Sequence, residues 1–399
     1  MKLAVLVAAL TLTLPLIAET SFRITPGDIP NDGITFVDYS RKNRSGHMGH
    51  ALVEYARDSL LAFYSNASGC LNHGHTGYGW MEYRRSTDGG KTWGEPKVLD
   101  YSRAVFLDGT GNISCEKAEV TDKGTIVLFC QRNKCLTGWD PYLEPMVLRS
   151  SDAGETWSGP IPFSGQRGRV YATLYRDGRI YALQFLNDSE NKWCGNKPEH
   201  VYKLYVSDDD GLTFSECSTL PFDTTGRAYG ALAWLPDDRL IAYAYNVNDE
   251  FNMDYIVSAD RGRSWSEPKK SFCAKRIRNP QVFCLKGLYF LHGRSGNEDR
   301  RWPFNFVLYT SQNGIDWDEG RFLRETAPNE WGTHSYYSNN LVLGRFGGPI
   351  RALIQASVPY SEARENIAHW WIERRTQKAA MLGVESSEGP AKGLKNKAF

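Results

Sequence analysis

One short segment recurs five times along the chain, and its spacing excludes most folds. Ser86-Thr-Asp88-Gly-Gly90-Lys-Thr-Trp93 returns as Ser150-Ser-Asp152-Ala-Gly154-Glu-Thr-Trp157. It returns again as Ser207-Asp-Asp209-Asp-Gly211-Leu-Thr-Phe214 and as Ser258-Ala-Asp260-Arg-Gly262-Arg-Ser-Trp265. A worn copy runs Thr310-Ser-Gln312-Asn-Gly314-Ile-Asp-Trp317. The third position falls at 88, 152, 209, 260 and 312, so the steps are 64, 57, 51 and 52 residues. Helical solenoids repeat at roughly 33–47 residues, and steps this long suit a sheet of several short strands. Each copy carries the chemistry of a tight turn. An Asp accepts hydrogen bonds from turn amides, a Gly supplies positive φ, and the following aromatic is free to pack on a neighbour.

Between the copies, apolar and polar residues alternate as strands require. The pattern reads as two strands before each box and one after it. The inner pairs are expected at 51–55 with 59–64, 117–120 with 125–130, 171–175 with 179–185, 229–235 with 239–245, 278–285 with 288–292, and 337–343 with 351–357. Six units follow, so the expected fold is all-β, a six-bladed β-propeller. The last unit holds a strand at 367–372 but no box, and residues 34–38 are expected to supply its outer strand. Closing the ring in this way removes a sheet edge that would otherwise be exposed.

The ends of the chain read differently. Residues 1–18 have Lys2, an apolar run from Leu3 to Ile17 and then Ala18, which is the pattern of a secretory signal, and the run is short for a membrane span. Residues 19–375 form the expected propeller, and 376–399 form a polar tail whose composition predicts disorder. The expected location is secreted or periplasmic, as a monomer. The 47 basic and 46 acidic residues leave a formal charge of +1 with no long run of either sign. That balance speaks against nucleic acid or a membrane surface as partner, since both select clustered basic charge. Eight cysteines in an exported chain favour disulfides, with Cys130–Cys135 and Cys273–Cys284 the nearest pairs. No Cys-x-x-Cys pair occurs, and neither metal nor cofactor is expected.

In a propeller, one end of the central tunnel gathers the starts of the innermost strands and the loops leaving the second strands. The polar and aromatic residues expected there are His47, His50, Asn66, His73 and His75 in blade one and Glu116 and Arg132 in blade two. Blade three adds Arg169, Tyr171 and Gln184, and blade four Arg227, Tyr229, Tyr245 and Asn246. Blade five adds Arg276, Arg278, Arg294, Arg300 and Arg301, and blade six His334, Tyr336 and Tyr337. The set is rich in Arg, Tyr and His. Arg presents a planar fork to carboxylate or sulfate, Tyr serves as nucleophile or acid when its pKa is tuned, and His moves protons near neutral pH. An anionic oligo- or polysaccharide fits this list better than a lipid or a peptide.

The five boxes are Asp boxes, and over nearly the whole mature length the chain resembles the sialidase superfamily. That resemblance implies a glycosidase with an arginine triad on the substrate carboxylate, an Asp acid/base, and a Tyr nucleophile paired with a Glu. Tyr337-Ser338 before an apolar strand matches the nucleophile, and Arg300 or Arg301 matches the third arginine. The other positions depart from the pattern. His47-Met48-Gly49-His50 stands where a Phe-Arg-Ile-Pro motif belongs, and Phe22-Arg23-Ile24-Thr25-Pro26 lies one strand too early to replace it. His73 and His75 stand in the loop of the acid, Tyr229 at the Glu, and Tyr245 at the second arginine. Hydrolysis through Tyr337 is then expected, with His73 or His75 as acid/base. Arg301, Arg300, Arg294, Arg278, Arg132, His47 and Tyr245 are expected to hold the substrate. A polysaccharide lyase working through His50, His75 and Tyr229 beside a uronate is the alternative, and a non-catalytic glycan-binding propeller is a third reading.

Overall fold

The computed structural model describes residues 22–27, 33–69, 77–134, 142–188, 192–296, 304–326 and 335–374. Residues 1–21, residues from 375 onward, His73, His75, Arg300, Arg301, His334, Cys70 and Cys135 lie outside them. Six antiparallel sheets follow one another along the chain. Blade one is Leu52–Ala56, Ser59–Ala67, Gly79–Ser86 and Lys97–Val98. The inner strands of the next five blades are Asn112–Val120, Arg169–Arg176, Arg227–Trp234, Arg278–Leu285 and Ser338–Leu343. The fold is the expected six-bladed propeller, but three strands precede each box rather than two. The third strand runs directly into the box, ending on its first Ser (Ser86, Ser150, Ser207 and Ser258), so the turn chemistry masks the strand's end in the sequence.

Blade six closes the ring with N-terminal chain. Ile34–Val37 pairs antiparallel with Arg364–Arg374, as expected, and Phe22–Thr25 pairs on the same strand further out. The Phe-Arg-Ile-Thr stretch is thus an outer-edge strand, where Arg23 reaches Glu373 at 2.7 Å on the surface. It contributes nothing to the tunnel.

The boxes behave as capped turns. Ser86 Oγ donates to Asp88 Oδ1 at 2.8 Å, the amides of Lys91 and Thr92 donate to the same oxygen at 3.0 Å, and Thr92 Oγ1 donates to Oδ2 at 2.6 Å. Asp152, Asp209 and Asp260 repeat the arrangement. The fifth copy differs by one residue from its expected register. Ser311 and Asn313, not Gln312, make the turn, with Asn313 Oδ1 accepting from the amides of Ile315 and Asp316 at 2.9 Å. A single residue is missing between the Ser and the Trp. Each box aromatic then staples its blade to the one before. Trp157 meets Phe63 of blade one edge-on with ring centroids 5.8 Å apart, and Phe214 meets Phe129 of blade two at 5.5 Å. Trp265 Nε1 donates to Ser218 of blade three at 2.9 Å, and Trp93 packs on Phe36 of the N-terminal strand. Gly154, at φ +79°, sits where any Cβ would stand 2.5 Å from Leu61 Cδ1, so this contact requires glycine.

The expected Cys273–Cys284 disulfide is corrected, and the expected Cys130–Cys135 pair lies partly outside the described residues. Cys115, Cys130, Cys194, Cys217, Cys273 and Cys284 are all free thiols. Cys273 is buried behind blade four, whereas Cys284 lines the central tunnel, so closeness in sequence does not bring the two together. Cys130 faces its cross-strand partner Cys115, with the sulfurs 3.4 Å apart. Among the described residues no helix is long and apolar enough to cross a membrane, and no group of His, Cys, Asp and Glu is placed to hold a metal.

Candidate active site

Strand starts deliver the site. Tyr229 is the third residue of its inner strand, Tyr337 immediately precedes Ser338–Leu343, and Arg278 and Arg169 open theirs. Arg294 arrives from the end of a second strand, Leu288–Ser295. Tyr337 is anchored through its backbone, its amide donating to Ser357 Oγ at 3.1 Å and its carbonyl accepting from the Ser357 amide at 2.9 Å. The hydroxyls of Tyr229 and Tyr337 stand 3.2 Å apart in a hydrogen bond across the tunnel. Three guanidiniums surround this pair. Arg294 lies 3.8 Å from the Tyr337 ring centroid, Arg169 5.7 Å from it, and Arg278 5.9 Å from the Tyr229 ring.

These arginines have different roles. Arg169 is neutralised by Glu116, which accepts its Nε at 2.9 Å and a second guanidinium nitrogen in a fork. Arg278 is buried, its Nε meets no hydrogen-bond acceptor, and no carboxylate lies within ion-pair distance of it among the described residues. Its surroundings are aromatic: Trp193 at 4.5 Å, Phe304 at 5.2 Å, and Tyr229 and Tyr245 each at 5.9 Å. Cation–π contact replaces only part of the solvation a buried charge gives up. Burial and the neighbouring Arg278 charge hold Arg294 below the usual guanidinium value. Both guanidiniums pack on Phe304, at 5.2 and 4.9 Å, so two positive charges lie side by side and favour an anion between them.

The field they create separates the two phenols. Burial alone would raise Tyr229, but Arg278, Arg294 and Arg169 together outweigh it and leave its pKa lowered. Tyr337 is raised by burial, with the arginines too weak to reverse it and Tyr229 adding to the rise. Of the pair, Tyr229 gives up its proton first, and Tyr337 is the donor.

The histidines of the Gly-Met-Gly turn are held by the frame. His50 Nδ1 stands 3.2 Å from Gln355 Nε2, and its Nε2 stands 3.4 Å from the His47 carbonyl. Both ring nitrogens are thereby committed. Burial pushes its pKa down to about 4, so it is neutral at physiological pH. His47 lies edge-on to Tyr337, centroids 4.8 Å apart, with Nδ1 3.4 Å from Glu365. Tyr245 donates its hydroxyl to Glu250 and presents only its ring to Trp193. Arg132 points toward Met146 Sδ at 4.0 Å, and none of its described contacts reaches the tyrosine pair. Tyr229, Tyr337, Arg278, Arg294, His47 and His50 are therefore brought together, Tyr245 flanks them, and Arg132 stands apart.

Two features had no sequence signal. Trp193, from the loop before Tyr202–Ser207, stacks on Tyr229 at 5.4 Å and on Tyr245 at 5.9 Å, capping both. A lone Trp outside any repeat carries no period to mark it. Lys117, Gln281 and Asn339 meet across the tunnel floor, with Lys117 Nζ donating to Gln281 Oε1 at 2.5 Å and to Asn339 Oδ1 at 2.9 Å. Between this floor and the tyrosines, a cavity of about 20 Å³ is room for a single water.

No family model matches the sequence. Among solved structures, a protein of unknown function from Dyadobacter fermentans superposes with TM-score 0.62 at 16% identity, over 86% of this chain and 99% of that one. NanB sialidase from Streptococcus pneumoniae gives 0.59 at 11% identity, over 86% and 71%. The intramolecular trans-sialidase from Ruminococcus gnavus gives 0.58 at 14%, over 86% and 97%. The fold is sialidase-like. An α-L-arabinanase from Penicillium chrysogenum also matches, with TM-score 0.55 at 16% identity over 84% and 97%, so sialidase-like propellers of this shape carry more than one sugar chemistry.

Proposed function

We propose that the chain is an exported, sialidase-like glycoside hydrolase that acts on a glycan bearing a carboxylate or sulfate. One observation carries the reading: a hydrogen-bonded Tyr229–Tyr337 pair lies among buried arginines, one of which, Arg278, has no carboxylate within ion-pair distance among the described residues. The substrate anion fills that place. Arg278 and Arg294 grip it, and Arg169 stays locked to Glu116 and supplies only field. Tyr337 Oη attacks the anomeric carbon while its proton passes to the Tyr229 phenolate. The glycosidic oxygen leaves with a proton from His73 or His75, and water then cleaves the tyrosyl–sugar bond. Tyr229 thereby does for Tyr337 what a glutamate does in the resembled family.

One observation favours a second reading. Tyr229 is the more acidic phenol of the pair. As a phenolate it can instead take the proton beside a uronate carboxylate, with Arg278 stabilising the enolate, and the bond to the leaving oxygen then breaks without water. Digesting sialylated, sulfated and uronate-containing glycans and weighing the products separates the two. A product heavier by one water supports hydrolysis, and an unsaturated product absorbing in the ultraviolet supports elimination. Binding without turnover across the panel sinks both and leaves a lectin.

A further inference from the structure

The tunnel has a second chamber, on the far side of the Lys117–Gln281–Asn339 floor. Its volume is about 330 Å³, and it opens at the opposite face of the propeller from the tyrosine pair. That volume is within the range of small-molecule sites. All six blades line it, mostly with aliphatic residues such as Ala231, Val282 and Leu341, and aromatic groups Phe283, Trp234 and Tyr175 join them. Its polar groups include the floor itself, Asn340 and, on one wall, Glu119, which accepts a hydrogen bond from Thr173 Oγ1 at 2.6 Å.

Lys117 is the unusual element. Its ammonium is buried in the tunnel and bonded only to two neutral amide oxygens, and no carboxylate lies within ion-pair distance among the described residues. An ammonium has three N–H donors, so two bonds leave one to spare. A neutral amide would tie blades two, five and six together as well, without the cost of burying a charge. Glu116 and Glu119 favour the charge only from beyond ion-pair distance. Burial pushes Lys117 down to about 8, which still leaves it cationic at neutral pH. Lys117 also borders the water-sized cavity above, but no organic anion fits there.

We infer that the lower chamber is a binding site for a small monocarboxylate with an apolar body, its carboxylate on Lys117 Nζ and its body against the aliphatic wall. Glu119 does not oppose this. Burial raises its carboxyl to about 7, so it accepts a proton readily when a second anion enters. The site is separate from the proposed active site, and its ligand does not depend on what the tyrosine pair cleaves.

The test is calorimetric titration of the full-length protein with benzoate and hexanoate, against benzamide and hexanamide as neutral controls. One of the acids is expected to bind with one-to-one stoichiometry and its amide at least tenfold more weakly. Lys117→Met should weaken the acid at least tenfold, whereas Arg278→Met, at the other end of the tunnel, should leave it unchanged. Should Lys117→Met fail to fold, Thr173→Phe fills the chamber from a half-exposed wall position and should abolish the same binding. No binding of either acid, binding unaffected by Lys117→Met or Thr173→Phe, or binding lost in Arg278→Met would each overturn the inference.

Discussion

Arg278→Met should make the protein more stable and less functional at once. The guanidinium is buried among Trp193, Phe304, Tyr229 and Tyr245 with no carboxylate within ion-pair distance among the described residues, so its desolvation cost is offset by cation–π contact and by the phenols, Tyr229 foremost, rather than by an acid. Methionine fills a similar volume and keeps the aromatic contacts through its thioether. Replacing buried charged groups with apolar residues of like volume has stabilised proteins by about 1–4 kcal/mol. With an unfolding entropy of ~2.1 cal/mol/K per residue over roughly 350 residues, that corresponds to a Tm rise of about 1–5 °C. Scanning calorimetry of the ligand-free protein measures it, and titration with a carboxylate-bearing oligosaccharide measures the accompanying loss of binding. A Tm that falls by the same amount would refute the reasoning, because Arg278 would then be a structural anchor and not a seat kept for an anion.

Other perturbations test the pair and the scaffold. Activity should rise with pH through the lowered pKa of Tyr229, since the working base is its phenolate; Tyr229→Phe should remove that limb and lower kcat about 10²–10⁴-fold, as loss of a general base does. A pH profile left unchanged by the substitution would assign the base elsewhere. Trp157→Ala should cost about 2–3 kcal/mol, less than a fully buried aromatic, with substrate affinity nearly unchanged, and a stable variant that no longer binds would contradict the stapling role. Asp88 and Asp260 are held down to about 2 by the turn hydroxyls and amides, so their contribution is intact above about pH 4 and disappears as the pH falls through 2. Asp88→Asn should flatten that part of the acid-unfolding curve.

The fold was legible because the box is local chemistry repeated: a carboxylate, a glycine and an aromatic at fixed offsets survive any amount of drift elsewhere. What local chemistry does not encode was misread. The third strand of each blade ends on the box's own serine, so its boundary is hidden, and the fifth box moved by one residue when a position between Ser311 and Trp317 was lost. The cysteine pairs were read from spacing along the chain, but Cys130 meets Cys115 because strand register, not separation, sets who faces whom. In the site, Tyr229, Tyr337, Arg278 and Arg294 were legible because strand starts and ends converge on one end of a propeller. Nothing in the sequence showed that Arg169 would be tied to Glu116, or that His50 would spend both ring nitrogens on Gln355 and the His47 carbonyl. Such assignments depend on which neighbouring blade supplies the partner. Trp193 and the Lys117–Gln281–Asn339 floor were missed for the same reason.

The central claim, that the Tyr229–Tyr337 pair works as base and nucleophile on an anionic sugar, is tested most directly by trapping its intermediate. A fluorinated glycoside of the carboxylate sugar that the product screen identifies, one that slows the second step, should leave a sugar covalently on Tyr337 in the intact protein. Peptide mass mapping would locate it, and Tyr229→Phe should acquire it far more slowly. A sugar found on Tyr229, or turnover without any adduct and with an unsaturated product, would contradict the account.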